Sequence, residues 1–491
     1  MLRMVGALLV IFFCSTTGRA MAQSPPPESA PRNILWIIVE DMSADFHCYG
    51  ESLIETPHID QLAERGIRFT QAFTTGPVCS ASRSALITGM YQTSIGAHHH
   101  RSSRGSEKIH LPAQVKLVPE LLQQAGYFTC NQQGLSEPPR PGKTDYNFVW
   151  SPSIYQGMDW RERPAGKPFF AQIQLQGGKL REGANWPERA QRVLGSLTDP
   201  QRVQLPPYLP DDPVIRSDWA AYLDTVRYTD WEVGQILERL KKEGLLDSTV
   251  IFLFTDHGIS HIRAKQFLYD AGIHIPLIVA GPGIQTGQVR DDLVEHIDIA
   301  AATLALAGVE VPNWMQGRNM LATGYEPRRY VHAARDRCDE TVDRIRAVRT
   351  ARYKYIRNFY PDRPYLQPNA YKDNKRIVQV MRQLYAQGLL DAAQSLIMAE
   401  QRPAEELYDL ESDPHELHNL VRDRNYLPVL IELRGELAHW ISSTGDQGQR
   451  PESIYMYDSD MKVYLESVEK RDPERAREIE KNIQWMKARW R

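Results

Sequence analysis

The sequence predicts an α/β fold: a large, mostly parallel sheet sandwiched by helices, followed by a smaller C-terminal α+β subdomain. Three observations predict it. Largely apolar runs at residues 33–39, 169–175 and 249–254 have the length and composition of strands buried on both faces. Segments with helical caps and periodicity alternate with those runs, as in a sheet with helices on both faces. From about residue 344 the chain turns polar and Pro-broken, ending in a highly charged stretch over 470–491.

The elements follow in order. Residues 24–32 are Pro-rich and read as a lead-in, and residues 33–39 (Asn-Ile-Leu-Trp-Ile-Ile-Val) form the first strand. Thr56-Pro57 caps a helix that Gly66 ends, and a strand follows at 67–73. A helix near 117–124 stops at Gly126 and leads into an extended segment at 127–130. After the strand at 169–175, a long amphipathic helix spans 218–242 and ends at Gly244. The strand at 249–254, a strand at 275–280 and a helix at 297–306 complete the main domain. A charged hairpin, 344–349 and 353–357 around Thr350-Ala351, opens the C-terminal part.

The 491 residues suffice for one large or two unequal domains. A net charge of −3 gives no reason to expect nucleic acid or an anionic membrane as partner, so an anionic substrate needs a local basic site. Arg3, the apolar run 5–13 and Ala20-Met21-Ala22 read as a secretory signal peptide cut after Ala22, implying export to the periplasm or medium. The apolar run is too short for a comfortable membrane anchor, and no later stretch is long and apolar enough to span. Of five cysteines, Cys14 leaves with the signal. Cys48, Cys79, Cys130 and Cys338 show no metal-like spacing, and if Cys79 is consumed chemically at most one disulfide can form.

Two of the buried strands finish in metal-ligand residue types, Glu40-Asp41 and Asp256-His257. Ligands in open α/β sheets collect at strand carboxyl ends, and adjacent carboxylates there need an offsetting charge. A divalent cation supplies it; hard oxygen donors suit Ca²⁺, Mg²⁺ or Mn²⁺, and His257 leaves room for manganese. The alternative is solvated turn acids or helix N-caps. Cys79 stands at the start of a helical stretch with Arg83 one turn on, which is either a lowered-pKa thiol beside an anion site or a half-buried free cysteine.

Residues 77–89 (Pro-Val-Cys-Ser-Ala-Ser-Arg-Ser-Ala-Leu-Ile-Thr-Gly) resemble the sulfatase signature through Cys79, Ala81, Arg83 and Thr88-Gly89. The opening strand with Glu40-Asp41, the Thr56-Pro57-His58-Ile59-Asp60 segment, Asp256-His257-Gly258 with Lys265, and Glu405-Glu406-Leu407-Tyr408-Asp409-Leu410 extend the resemblance over about 32–445. It implies an alkaline-phosphatase-like fold, with a signal peptide at 1–22, a catalytic domain at 23–343 and a C-terminal subdomain at 344–491. It also implies a formylglycine nucleophile made from Cys79 by a maturation enzyme, acting on a sulfated small molecule or saccharide. One divalent metal, calcium foremost, is then expected on Glu40, Asp41, Asp256 and His257. Arg83 is expected to stabilise the nucleophile, Lys265 to bind the sulfate, and Lys143 to be the second active-site lysine.

The chain departs from the family pattern at three points: Glu40 replaces an aspartate, Asp145 a histidine beyond Lys143, and Gln176-Gly177-Gly178-Lys179 a histidine-bearing segment. Lys179 or His261 is expected to fill the last gap, with His261 preferred because it lies between Asp256-His257 and Lys265. His99, His100 and Arg101 are expected on a substrate-facing loop. Arg335 and Arg337 are read either as contacts to an anionic sugar or as an ion-pair network. A phosphodiester or phosphonate monoester hydrolase on the same scaffold, and an inactive binding protein, are the rival functions.

Overall fold

The computed structural model describes residues 32–490. The expected signal peptide and its cleavage site lie outside these residues. The main sheet has eight strands: β1 Asn33–Val39, β2 Gly66–Phe73, β3 Phe128–Gln133, β4 Phe169–Leu175, β5 Thr249–Thr255, β6 His274–Ala280, β7 Gln288–Arg290 and β8 Val294–Glu295. They run in the order β3-β4-β1-β5-β6-β2-β7, with β8 also paired to β2. Every pairing is parallel except those of β6, which runs antiparallel to both β5 and β2.

The apolar run of β1 is explained by the two layers that cover it. Ile34, Trp36 and Ile38 enter one core, with Leu86 and Ile87 of the Cys79–Thr88 helix, Leu122, and Ile299 to Leu304. Leu35, Ile37 and Val39 enter the other, with Ile59 and Leu62 of the Pro57–Glu64 helix and Leu223, Val226, Val233 and Ile236 of the Pro213–Lys242 helix. Each such side chain contributes roughly 1.5–3 kcal/mol on burial, so a polar residue on either face is costly. The long helix begins at Pro213, a turn earlier than its periodicity indicates, because Asp212 caps it by accepting from the Val214 N–H at 2.8 Å.

A second sheet is antiparallel, in the order β12-β11-β10-β9: β9 Val331–Arg335, β10 Ile345–Arg349, β11 Tyr353–Asn358 and β12 Glu405–Asp409. The expected hairpin is β10–β11, while β9 lies upstream of residue 344. The Leu427–Ser443 helix covers the sheet through Leu430, Leu433, Leu437 and Trp440. The chain then forms a helical hairpin, Ile454–Glu469 and Pro473–Lys487, packed through Tyr457, Met461, Ile479 and Met486. No helix among the described residues is long and apolar enough to cross a membrane.

Candidate active site

The site lies where three adjacent parallel strands end. Val39 is in register with Leu175 on one side and Thr255 on the other, so residues 40–41, 176–179 and 256–257 emerge side by side. The turns are bonded to one another: Asp256 N donates to Val39 O (3.0 Å), Asp41 N to Asp256 Oδ1 (3.2 Å) and Gly178 N to Glu40 O (2.9 Å). Asp41 adopts a left-handed backbone (φ 52°), a conformation that costs energy and that clusters at functional sites. Arg101, Gln266 and Asp339, which together line a cavity beside Lys265, also have positive φ.

Cys79 is the first residue of its helix, all ten residues of which are buried. Its Sγ stands 3.1 Å from His257 Nε2, 3.4 Å from Lys265 Nζ, and 3.7 Å from both Asp41 Oδ1 and Lys179 Nζ. Burial raises the thiol pKa, but Lys143, Lys179, Lys265 and His257 outweigh it and bring Cys79 down to about 6. Burial likewise opposes ionisation of Asp41, yet Lys179 and Lys265 hold its carboxyl well below the usual range. Lys265 Nζ donates to both Asp41 oxygens, at 3.0 and 2.8 Å.

Arg83 spans the floor. Its Nε donates to Asp256 Oδ2 (3.0 Å) and Nη1 to Gln174 Oε1 (2.7 Å), while Nη2 lies 3.5 Å from Glu40 and is buried without a hydrogen-bond partner. Donor atoms of Asp41, Cys79, Asp256 and His257 all fall within 4.8 Å of one another, compatible with one ion at ordinary ligand distances. Glu40 stands apart from that group, paired with Lys179, with Lys143 at 3.2 Å and with Arg83. Two buried carboxylates and one imidazole nitrogen thus fit a divalent cation, with Glu40 serving the lysines in this arrangement.

Several expectations are corrected. His261 turns away from the centre: its Nε2 lies 3.4 Å from Asp218 Oδ2 and its ring packs edge-on to Trp219. Lys179 occupies the gap instead. It gets there because Gly177 and Gly178 press against the turn after β1; a Cβ at Gly178 would sit 2.1 Å from Asp41 O. Of the histidine run only His100 reaches the cavity, its Nδ1 2.9 Å from Ser80 Oγ and Arg101 beside it. His99 is buried, its Nδ1 accepting from the Arg337 N–H at 3.3 Å. Arg335 is buried on Asp343, and Arg337 is enclosed by Glu452 (2.7 and 2.9 Å) and Asp460 (2.7 Å). Both arginines belong to the framework.

Asp145 pairs with Arg104 (2.8 Å) and stands 3.7 Å from Lys143. Gln174 escaped the sequence reading, although Gln172 and Gln174, two apart in an otherwise apolar buried strand, signal a polar face. Tyr371, whose ring lies 5.2 Å from Lys265 Nζ, and the residues of the C-terminal hairpin carried no local signal.

Two cavities meet at Lys179. One of about 550 Å³ is lined by Glu40, Lys143, Asn185, Trp186 and Arg189. The other, about 260 Å³, is lined by His100, Arg101, Lys265 and Tyr371.

Comparison with known proteins agrees with this geometry. The sulfatase family model matches residues 32–309, and the model for the C-terminal part of N-sulphoglucosamine sulphohydrolase matches 257–388. An ulvan-active sulfatase of Formosa agariphila is 33% identical over 465 residues, covering 86% of this chain and 76% of that protein. Human N-sulphoglucosamine sulphohydrolase is 27% identical over 468 residues, covering 85% and 91%. Among solved structures, BT4656 in complex with its substrate D-glucosamine-2-N,6-O-disulfate has a TM-score of 0.58 at 20% identity, covering 85% of this chain and 98% of that one. The phosphonate monoester hydrolase of Agrobacterium radiobacter has 0.61 at 16%, covering 84% and 96%. The structural likenesses show the shared scaffold. The match of the family model and the 33% relative show the family: the chain belongs to the sulfatase family and is a sulfuric ester hydrolase.

Proposed function

We propose that the protein, once exported, hydrolyses a sulfate ester on a carbohydrate, using a formylglycine made from Cys79 and one divalent cation. The observation that carries this reading is the convergence of Cys79 with Asp41, Asp256 and His257 inside a ring formed by Lys143, Lys179 and Lys265. The carbohydrate is inferred from the relatives that act on ulvan and are named for N-sulphoglucosamine, and export from the signal-peptide pattern before Ala22.

Formylglycine supplies a geminal diol as nucleophile, and the cation, calcium foremost with manganese or magnesium as alternatives, supplies positive charge to the reacting oxygens. Asp41, Asp256 and His257 would hold the cation. The chain's own groups then divide the work. Arg83, fixed by Asp256 and Gln174, directs its free Nη2 hydrogens into the site. Lys265 and Lys179 flank residue 79 and neutralise charge on the transferring sulfate. His100, kept neutral by burial and by Arg101, orients Ser80 or a substrate hydroxyl.

Peptide mass spectrometry across Cys79, on protein produced with a formylglycine-generating enzyme, is expected to show a loss of about 18 Da. The matured protein is expected to cleave an aryl sulfate faster than an aryl phosphodiester, to lose activity to a chelator and to regain it with Ca²⁺. An unmodified thiol would favour a binding protein, and a faster diester reaction the phosphonate and phosphodiester branch.

A further inference from the structure

The smaller cavity has a wall that sulfate hydrolysis alone does not require. Opposite Lys179 and Lys265 it is lined by Tyr464, Arg471 and Arg475 of the C-terminal hairpin, with Arg101 and Asp339 at its side. Arg101 is half exposed and 3.6 Å from Asp339, the one carboxylate lining this cavity. Among the described residues neither Arg471 nor Arg475 has a carboxylate within 4.0 Å. Arg471 is held only by Ser467, donating to its carbonyl and hydroxyl at 3.1 Å. The Nε of Arg475 is buried with no hydrogen-bond partner. A buried donor of this kind is costly unless a partner satisfies it.

The hairpin is not loosely placed. Arg337 ties it to the second sheet through Asp460, whose carboxylate also accepts from the Arg104 N–H at 2.8 Å, and Tyr457 OH donates to Glu340 O at 2.8 Å. The arginines are therefore presented at a set position over the same cavity as the sulfate-facing lysines. Guanidinium forks match carboxylate and sulfate oxygens in a bidentate way.

The geometry points to an anion subsite formed by Arg101, Arg471 and Arg475, recognising a second negatively charged group, a carboxylate or a further sulfate, on the saccharide that carries the scissile ester. This inference rests on the carbohydrate sulfatase reading above and names its substrate class as a polyanionic saccharide.

The test uses three disaccharides with the same sulfate ester: one otherwise neutral, one with a neighbouring uronate, one with a second sulfate. Each competes against 4-nitrophenyl sulfate on the matured, metal-loaded protein. At least one dianionic competitor is expected to have a Ki tenfold or more below the neutral one, and which one identifies the anion. Arg471→Gln with Arg475→Gln is expected to bring the Ki ratio to within about twofold of unity, and Arg471→Lys with Arg475→Lys to retain part of it. The ratio is insensitive to a general loss of activity. Equal Ki values in the parent protein, or a ratio that survives the double glutamine variant, would overturn the subsite. If the protein does not cleave the aryl sulfate at all, the functional reading fails. Calorimetric titration of the same disaccharides then decides the subsite by the same affinity ratio.

Discussion

Around Cys79 the lysines Lys143, Lys179 and Lys265 stand at an open cavity, whereas beside the second sheet Arg337 and Arg346 are enclosed by carboxylates. Arg346 is held by Asp446 (2.6 and 3.0 Å) and Asp336 (3.0 Å), Arg337 by Glu452 and Asp460, and Arg335 and Arg402 share Asp343. Both regions are charge-rich. The guanidinium forks of Arg337 and Arg346 are matched by carboxylates, so their position is locked and little capacity remains for a ligand. At the centre Lys143, Lys179 and Lys265 are compact point charges gathered on Glu40, Asp41 and Cys79, and Arg83 keeps an Nη2 with no hydrogen-bond partner. Charge enclosed by its partners holds structure, and charge beside an open cavity stays available to a ligand.

The contrast can be broken by substitution. Cys79→Ala is expected to lower kcat for sulfate ester hydrolysis by at least about 10⁴-fold, as removal of a nucleophile does, with the thermal unfolding midpoint little changed. Arg337→Ala should instead destabilise: stranding Glu452 and Asp460 costs about 3–5 kcal/mol by urea denaturation. A loss of kcat at unchanged stability would return Arg337 to the substrate. Lys265→Ala is expected to cut kcat/KM by about 10²–10³-fold, the scale for one preorganised charge facing a developing anion.

The smallest effect concerns pH. Asp230 lies buried on the Pro213–Lys242 helix and accepts from the Ile59 N–H at 2.8 Å. Burial raises its carboxyl to about 7, against a few offsetting backbone hydrogen bonds. Because the folded state binds this proton more tightly than the unfolded chain, its contribution is fully present below about pH 4 and is lost as pH rises towards 7. Asp230→Asn keeps the acceptor and removes the titration. The variant's stability difference between pH 5 and pH 8 is expected to shrink by on the order of 2 kcal/mol. An unchanged difference would assign the slope to other buried acids.

Much of the centre is legible in the sequence because it depends on strand ends. The apolar runs of β1 and β5 identify strands buried on both faces, and Glu40-Asp41 and Asp256-His257 follow them directly. Cys79 and Arg83 are one helical turn apart, a local relation that spacing alone conveys. Sequence could not choose between His261 and Lys179. Proximity along the chain favours His261, whereas the choice turns on Gly177 and Gly178 fitting against β1, a contact between neighbouring strands far apart in sequence. The same holds for Arg337, which reads as either a substrate contact or part of an ion-pair network until its partners Glu452 and Asp460 are known, and for Arg471 and Arg475.

What the sequence by itself determined is thus the scaffold, the place of Cys79 at a helix start and the acidic strand ends, because periodicity and spacing act within a few residues of one another. Only the tertiary structure decided which cations face Cys79, which are saturated by carboxylates, and what closes the cavity above it. Those outcomes depend on how remote segments pack, and a charge acquires its role from the partners that packing supplies or withholds.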